Sequence, residues 1–370
     1  MPMAEAFAGA YRGTKVLVTG HTGFKGSWLS LWLSELGAEV VGYSLDPPSQ
    51  PSNFHALTLN RRLKHIKGDV RDRGYLQNVF DELGFEIVFH LAAQAITGYS
   101  YTVPQETFTT NVCGTVNVLD SIRLSESVKA AVIITSDKCY ENNEWLWGYR
   151  ENDRLGGDDP YSASKACAEI ACHSFMKSFF MKNCLPRVCT ARAGNVVGGG
   201  DWAIDRVVPD CVRAFVRGET LVVRNGKATR PWQHVLEPLS GYLWLGARLL
   251  HGDDRVADQS FNFGPTEDVC RTVEELVADF AMLWGDGKWC VHQSNCDANK
   301  ECRLLKLCCD KALHCLGWHT ALSFKETLKM TADWYKAFYV GHGDMYSFST
   351  RQIHEYEATA RARGLSWAST

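Results

Sequence analysis

The feature that most restricts this chain is a glycine loop set directly between a strand and a helix. Lys15-Val16-Leu17-Val18-Thr19 reads as a buried parallel strand, Gly20-His21-Thr22-Gly23-Phe24-Lys25-Gly26 follows at once, and a helix is predicted from Gly26 to Leu36. Glycines so placed let the backbone turn sharply and approach a pyrophosphate, whose charge is then held by the amides of the helix N-terminus. The alternation continues: Glu39–Leu45, His65–Val70, Ile87–Ala92 and Ala130–Thr135 read as further strands, with helical stretches between them, residues 72–83 among these. Strand and helix alternating at this spacing imply parallel pairing through right-handed crossovers. The expected fold class is therefore α/β, a Rossmann-type doubly wound parallel sheet with ligands at the carboxyl ends of its strands.

At 370 residues the chain is long enough for such a sheet and a smaller appended lobe. The alternation weakens after about residue 190, which divides the sequence into a dinucleotide-binding part, residues 1–190, and a mainly substrate-binding C-terminal lobe, residues 191–370. Later strands from 230–265, such as Phe261-Asn262-Phe263-Gly264, are candidates to return to the first part. With 45% hydrophobic and 22% charged residues the composition excludes a disordered chain. A net charge of −3 without a basic patch argues against nucleic acid and anionic membranes as partners.

The 14 cysteines are scattered without a CxxC pair. Cys290, Cys296 and Cys302 recur at equal spacing near His292, but these intervals suit neither a tight knuckle nor one helix turn, so no metal is expected. The sequence shows no cationic, apolar leader and no apolar run of membrane-spanning length, and cytoplasmic residence with reduced thiols is expected.

Candidate site residues fall at the strand ends. Gly20, Thr22, Gly23, Phe24, Lys25 and Gly26 form the pyrophosphate loop. Asp46, about 20 residues further on, suits a ribose 2′-hydroxyl and would repel a 2′-phosphate, which points to NAD as cofactor; the competing role is to open the Asp46-Pro47-Pro48 turn. Asp69 and Val70 would lie beside the adenine, and Leu91, Ala92 and Ala93 would leave small side chains against the centre of the cofactor.

Tyr161 and Lys165, a YxxxK pair on a helix beginning near Pro160, share one helical face, and the ammonium is expected to make the phenol a usable base near neutral pH. Ser136, at the end of the fifth strand, can hydrogen-bond the substrate oxygen that the tyrosine deprotonates. Asp137 and Lys138 follow it directly, an acid and an amine that a simple dehydrogenase would not require there.

These motifs, with Gly20 to Trp28, Thr135 to Tyr140, Trp147-Gly148-Tyr149-Arg150-Glu151, Tyr161 to Glu169, Arg192 to Trp202 and Thr229 to Val235, resemble the extended short-chain dehydrogenase family from about Lys15 to Lys336. Within it the chain is similar to the nucleotide-sugar 4,6-dehydratases, in particular the branch acting on CDP-glucose. The resemblance implies oxidation at C4 of the hexose with Tyr161 taking the hydroxyl proton, loss of water from C5 and C6 with Asp137 as acid, and return of the hydride to C6. The dTDP-glucose dehydratases have glutamate where this chain has Lys138. Lys138 is accordingly either the C5 base, if burial or Lys165 keeps a fraction neutral, or an electrostatic stabiliser of the enolate.

Asn195, Arg206, Arg224 and Arg230 are candidates for holding the diphosphate and nucleoside, because arginine forks match phosphate oxygens. His234 and the Trp145-Trp147-Tyr149 cluster either wall the sugar pocket or pack. The family also implies a homodimer or homotetramer, with helices near residues 104–125 and 160–180 at the contact. A nucleotide-sugar 4-epimerase is the nearest rival, but it needs no acid–base pair after the strand; a non-catalytic dinucleotide sensor would be expected to lose Tyr161 or Lys165.

Overall fold

The aliphatic run at the start of the sequence is a strand because both of its faces are covered: in Lys15–Thr19 (β1) Val16 and Val18 enter one core and Leu17 the other. The computed structural model describes residues 3–181, 185–265, 270–291, 304–341 and 343–369. Six further strands join β1: Glu39–Ser44 (β2), Lys64–Lys67 (β3), Ile87–His90 (β4), Ala130–Ile134 (β5), Arg187–Ala193 (β6) and Ser260–Phe263 (β7). Their order is β7-β6-β5-β4-β1-β2-β3, and every neighbouring pair is parallel. The winding reverses between β1 and β4, so a crevice opens above the carboxyl ends of these two strands.

Several boundaries differ from those the sequence predicts, each for a local reason. The first helix begins at Phe24, with Gly23 as its N-cap. β3 stops at Lys67, and the chain turns at Gly68, where a Cβ would stand 2.3 Å from the Tyr43 ring. The helix Arg73–Leu83 is capped by the Asp72 carboxylate, which accepts from the Tyr75 amide at 3.0 Å. β4 ends at His90, which frees Leu91, Ala92 and Ala93 from the ladder.

The expected division at residue 190 falls inside β6, which pairs with β5 on one side and β7 on the other. The chain therefore leaves the sheet after Ala193, and β7 comes back to it from the later half of the chain. Beyond the sheet, Thr229–Pro231 pairs with Cys270–Thr272 antiparallel, and Leu221–Val223 with Trp289–Val291 in parallel. The helices Val207–Val216 and Val273–Trp284 accompany them.

The helix Phe24–Glu35 is clamped along its length. Trp28 donates from Nε1 to the Gly199 carbonyl at 2.8 Å, and Trp32 from Nε1 to Glu357 Oε1 at 2.8 Å on the C-terminal helix Met345–Ala362. The helix that carries the glycine loop thus has its position set by both halves of the chain. Among the described residues no helix is long and apolar enough to cross a membrane. Cys290 is exposed; Cys296, Cys302 and His292 lie outside the described residues.

Candidate active site

The glycine loop has the shape that close phosphate approach requires. Gly20 sits at φ +74°, and a Cβ there would stand 2.7 Å from the Ala92 amide nitrogen. A Cβ on Gly26 would stand 2.1 Å from the Gly20 carbonyl oxygen. Gly23 ends the loop as an N-cap without a side-chain hydrogen bond, so no capping side chain competes for the first-turn amides of Phe24, Lys25 and Gly26. This cradle fits the diphosphate of a dinucleotide.

The remaining cofactor candidates surround it. The Thr22 hydroxyl contacts Ser44 Oγ at 2.8 Å and donates to the Leu45 carbonyl at 3.0 Å, so this side chain ties the loop to the end of β2. Leu91, Ala92 and Ala93 leave β4 half-buried beside Gly20. Asp46 lies two residues beyond β2 and is paired with Lys67 Nζ at 2.5 Å, both side chains being exposed. The Asp69 carboxylate is taken up by Arg71, at 2.6 Å to Nη2, and these hydrogen bonds hold its pKa below the usual carboxylate range. Val70 is buried, and its carbonyl accepts from Asn117 Nδ2 at 2.9 Å.

The catalytic candidates converge at the end of β5. The helix Pro160–Phe175 starts with proline at N1, and the Asp159 carboxylate accepts from the Ser162 amide at 2.9 Å. That start points Tyr161 and Lys165 at the turn Ser136-Asp137-Lys138, and Tyr161, Lys165, Ser136 and Asp137 are all buried. Burial lowers the Lys165 ammonium to about 8. Burial also pushes the Tyr161 phenol up to about 12, although a hydrogen bond from Ser136 pulls the other way. Loss of hydration outweighs that hydrogen bond and the nearby Arg206 charge, so in the chain by itself the phenol lies above the neutral range that the sequence predicts.

Burial raises the Asp137 carboxyl, against the pull of Lys138, Ser136, Lys25 and Arg230. An acid so placed keeps its proton to higher pH, as a proton donor needs. The Asp137 carboxylate accepts from Ser136 Oγ at 3.0 Å, and Lys138 donates from Nζ to Thr97 Oγ1 at 3.4 Å.

Some functional groups escaped the sequence reading. Glu169, one helical turn after Lys165, receives Thr135 Oγ1 and forms a buried ion pair with Arg192 Nη2 at 2.7 Å. Arg192 also donates to Tyr140 Oη at 2.7 Å and to the Glu151 carbonyl at 3.0 Å. Asn111, in the π-helical turn Thr109–Cys113, donates to Ser164 Oγ at 2.8 Å, next to Lys165 in the helix. Glu169 and Arg192 lay inside the runs that carry the family resemblance; Asn111 had no signal at all.

The substrate candidates separate. Arg206 is held by Asp201 at 2.8 Å, and its charge acts on both Tyr161 and Lys25. Arg230 acts on Asp137 from the strand Thr229–Pro231, and half-buried Asn195 follows Gly194 at the end of β6. Arg224 instead projects into solvent with 82% of its side chain exposed, 3.6 Å from Asp205. His234 is fully buried edge-on to Trp28, and burial takes its pKa down to about 3, so it does not wall a pocket. Trp145 stacks on buried Tyr149 with ring centroids 5.4 Å apart, while Trp147 is 60% exposed.

The family model described as GDP-mannose 4,6 dehydratase matches residues 17–331. A CDP-glucose 4,6-dehydratase of Salmonella typhimurium is 47% identical over 357 residues, covering 95% of this chain and 98% of that protein. Among solved structures, a UDP-glucose 4-epimerase from Thermotoga maritima has a TM-score of 0.77 at 24% identity, covering 88% of this chain and 99% of its own. A dTDP-glucose 4,6-dehydratase from Bacillus anthracis, in complex with NAD, has a TM-score of 0.71 at 21% identity, covering 88% and 97%. At these identities the two structures bear on the fold.

Proposed function

The chain belongs to the family described as GDP-mannose 4,6 dehydratase, and we propose on that footing that it converts CDP-glucose to CDP-4-keto-6-deoxyglucose and water. The relative at 47% identity, which spans nearly the whole chain, supports the cytidine nucleotide. The observation that carries the chemistry is the buried carboxyl of Asp137 placed between Ser136 and Lys138, within reach of Tyr161. A 4-epimerase has no use for an acid there.

The cradle of Gly20, Gly23 and Gly26 would hold NAD, which would supply a hydride acceptor for C4 and the hydride for C6, with no net redox. The chain's own residues handle the protons. Ser136 positions the C4 oxygen and Tyr161 takes its proton, with Lys165 one helical turn on as the cation proposed to favour phenolate and Arg206 pulling the same way. Asp137 gives its proton to the departing C6 hydroxyl, which leaves as water. Lys138 acts at C5, either taking the proton on its amine and giving one back as hydride reaches C6, or holding the enolate by its charge while water takes and returns that proton. Asn195, Arg206 and Arg230 receive the nucleoside diphosphate.

We infer a homodimer or homotetramer as well, supported by Phe108, Ile170 and Phe179, which are exposed along the helical stretches expected at the contact. Cytoplasmic residence is supported by thiols that stand free throughout the described residues.

The test is turnover of CDP-, dTDP-, UDP- and GDP-hexoses with NAD present. A 4-keto-6-deoxy product from CDP-glucose, with solvent deuterium entering at C5, is the expected result. Interconversion of C4 epimers without water loss would establish the epimerase instead.

A further inference from the structure

Glu169 takes no part in the proton transfers above, yet it gathers more of the site's framework than any residue that does. It lies one turn after Lys165 and two after Tyr161 on the same helical face. Its carboxylate receives Thr135 Oγ1 on Oε1. On Oε2 it receives Arg192 Nη2 at 2.7 Å, Thr190 Oγ1 at 2.9 Å and Ser260 Oγ at 3.2 Å. These donors stand on, or at the end of, β5, β6 and β7. Thr135 directly precedes Ser136 and Asp137. Both partners of the ion pair are almost wholly buried, with 3% of Arg192 and 2% of Glu169 exposed. A buried pair is commonly no more stabilising than apolar residues of the same volume. Stability alone does not explain why this one stands beneath the strand ends.

We propose that Glu169 is a positioning residue of the same reaction: it anchors the Thr135–Asp137 turn from below and keeps Lys165 cationic beside Tyr161. This rests on the reading of Tyr161 and Lys165 given above. The groups acting on Lys165 are Glu169 and Cys172 of its own helix, Cys139 after β5, His90 at the end of β4 and Lys25 of the glycine-loop helix. Arg192 and Cys189 of β6, Cys139 after β5 and Cys172 of the same helix act on or feel Glu169. Burial keeps the three thiols protonated and His90 neutral, at about 3. Of the groups named, Glu169 alone supplies a negative charge to Lys165, against the cations Lys25 and Arg192.

The test uses the full chain labelled with ε-13C-lysine, in which the Lys165 resonance is the one lost in Lys165→Met, titrated without sugar. Glu169→Gln should lower the Lys165 midpoint by at least about one pH unit, move the alkaline limb of kcat with CDP-glucose down equally, and reduce kcat about tenfold at pH 8 with KM changed less than about threefold. Glu169→Asp should restore the midpoint. Because Glu169→Gln strands the Arg192 charge and can fail to fold, Glu169→Gln/Arg192→Met, which removes both charges, is the second variant; since the opposing Arg192 cation goes too, it should show a lowering in the same direction but smaller. A Lys165 midpoint equal to the parent's in that double variant overturns the proposal. A parent that converts no nucleotide sugar sinks the functional reading instead, and is seen before any variant is made.

Discussion

The Asp137 carboxylate lies so close over Gly194 that a Cβ on that glycine would stand 2.9 Å from Oδ2. The glycine in the run Arg192-Ala193-Gly194-Asn195 therefore leaves the space in which the Asp137 carboxyl, the proposed proton donor, sits. Gly194→Ala should leave the fold intact, since what must yield is the end of one side chain, and lower kcat by about 10- to 100-fold, since sub-ångström misplacement of a reacting group is costly. Initial rates and a thermal melt check this; a kcat within twofold of the parent would mean that Asp137 need not be where it lies.

Lys165 carries a stability cost with a definite sign. Its pKa is about 8 in the folded chain, against an ordinary value of about 10.4 unfolded. Between these values the unfolded chain binds the extra proton, so stability rises with pH through that window. The cost of holding the charge, on the order of 3 kcal/mol, is fully present below pH 8. Lys165→Met should therefore be inactive, more stable than the parent at pH 7, and no more stable near pH 10.5. Urea unfolding at the two pH values measures the difference; a methionine variant less stable at pH 7 contradicts the sign.

Asp46 faces the solvent end of β2 with Lys67 on its carboxylate at 2.5 Å. A pair this exposed contributes little to stability, so the proposed role of Asp46 at the cofactor's ribose can be tested without loss of the fold. Asp46→Ala should weaken NAD binding about tenfold and leave NADP binding equal or stronger, since the like charge facing a 2′-phosphate is gone while Lys67 stays. Titration of tryptophan fluorescence with each dinucleotide would show it. Unchanged affinities for both would return Asp46 to the role of turn opener.

How far the sequence could be read depended on whether a feature was local. The glycine loop, the YxxxK spacing and the strand alternation each repeat over a few residues, and the fold follows from them. Strand ends were read too long because a ladder stops where its neighbours stop: His90 ends β4 with Thr19 at 2.7 Å and Thr115 at 3.0 Å holding its ring. Glu169 and Arg192 meet only because β6 inserts between β5 and β7, which no spacing reveals. Arg224 and His234 show the limit most plainly. Nothing near them in the sequence tells that one points to solvent while the other packs behind Trp28.

Asp137 makes the clearest separation between stability and chemistry. Its carboxyl is raised above the ordinary value of about 3.9 by burial. A raised folded value means that the group's favourable contribution is complete below the unfolded value and lost as pH climbs through the folded one. Asp137→Asn cannot ionise, so it escapes that loss: its stability should match the parent's near pH 3 and exceed it at pH 8. The same amide cannot protonate a leaving hydroxyl, and formation of the 4-keto-6-deoxy sugar should fall by about 10²- to 10⁴-fold. Tyr161, Ser136 and Lys138 remain, so recovered CDP-glucose should still gain deuterium at C5 from D₂O. If Asp137→Asn forms product at more than about a tenth of the parent's rate, the proton that carries water away comes from another group; a variant less stable than the parent at pH 8 would show that the buried carboxyl is held ionised by Lys138, Lys25 and Arg230 rather than neutral.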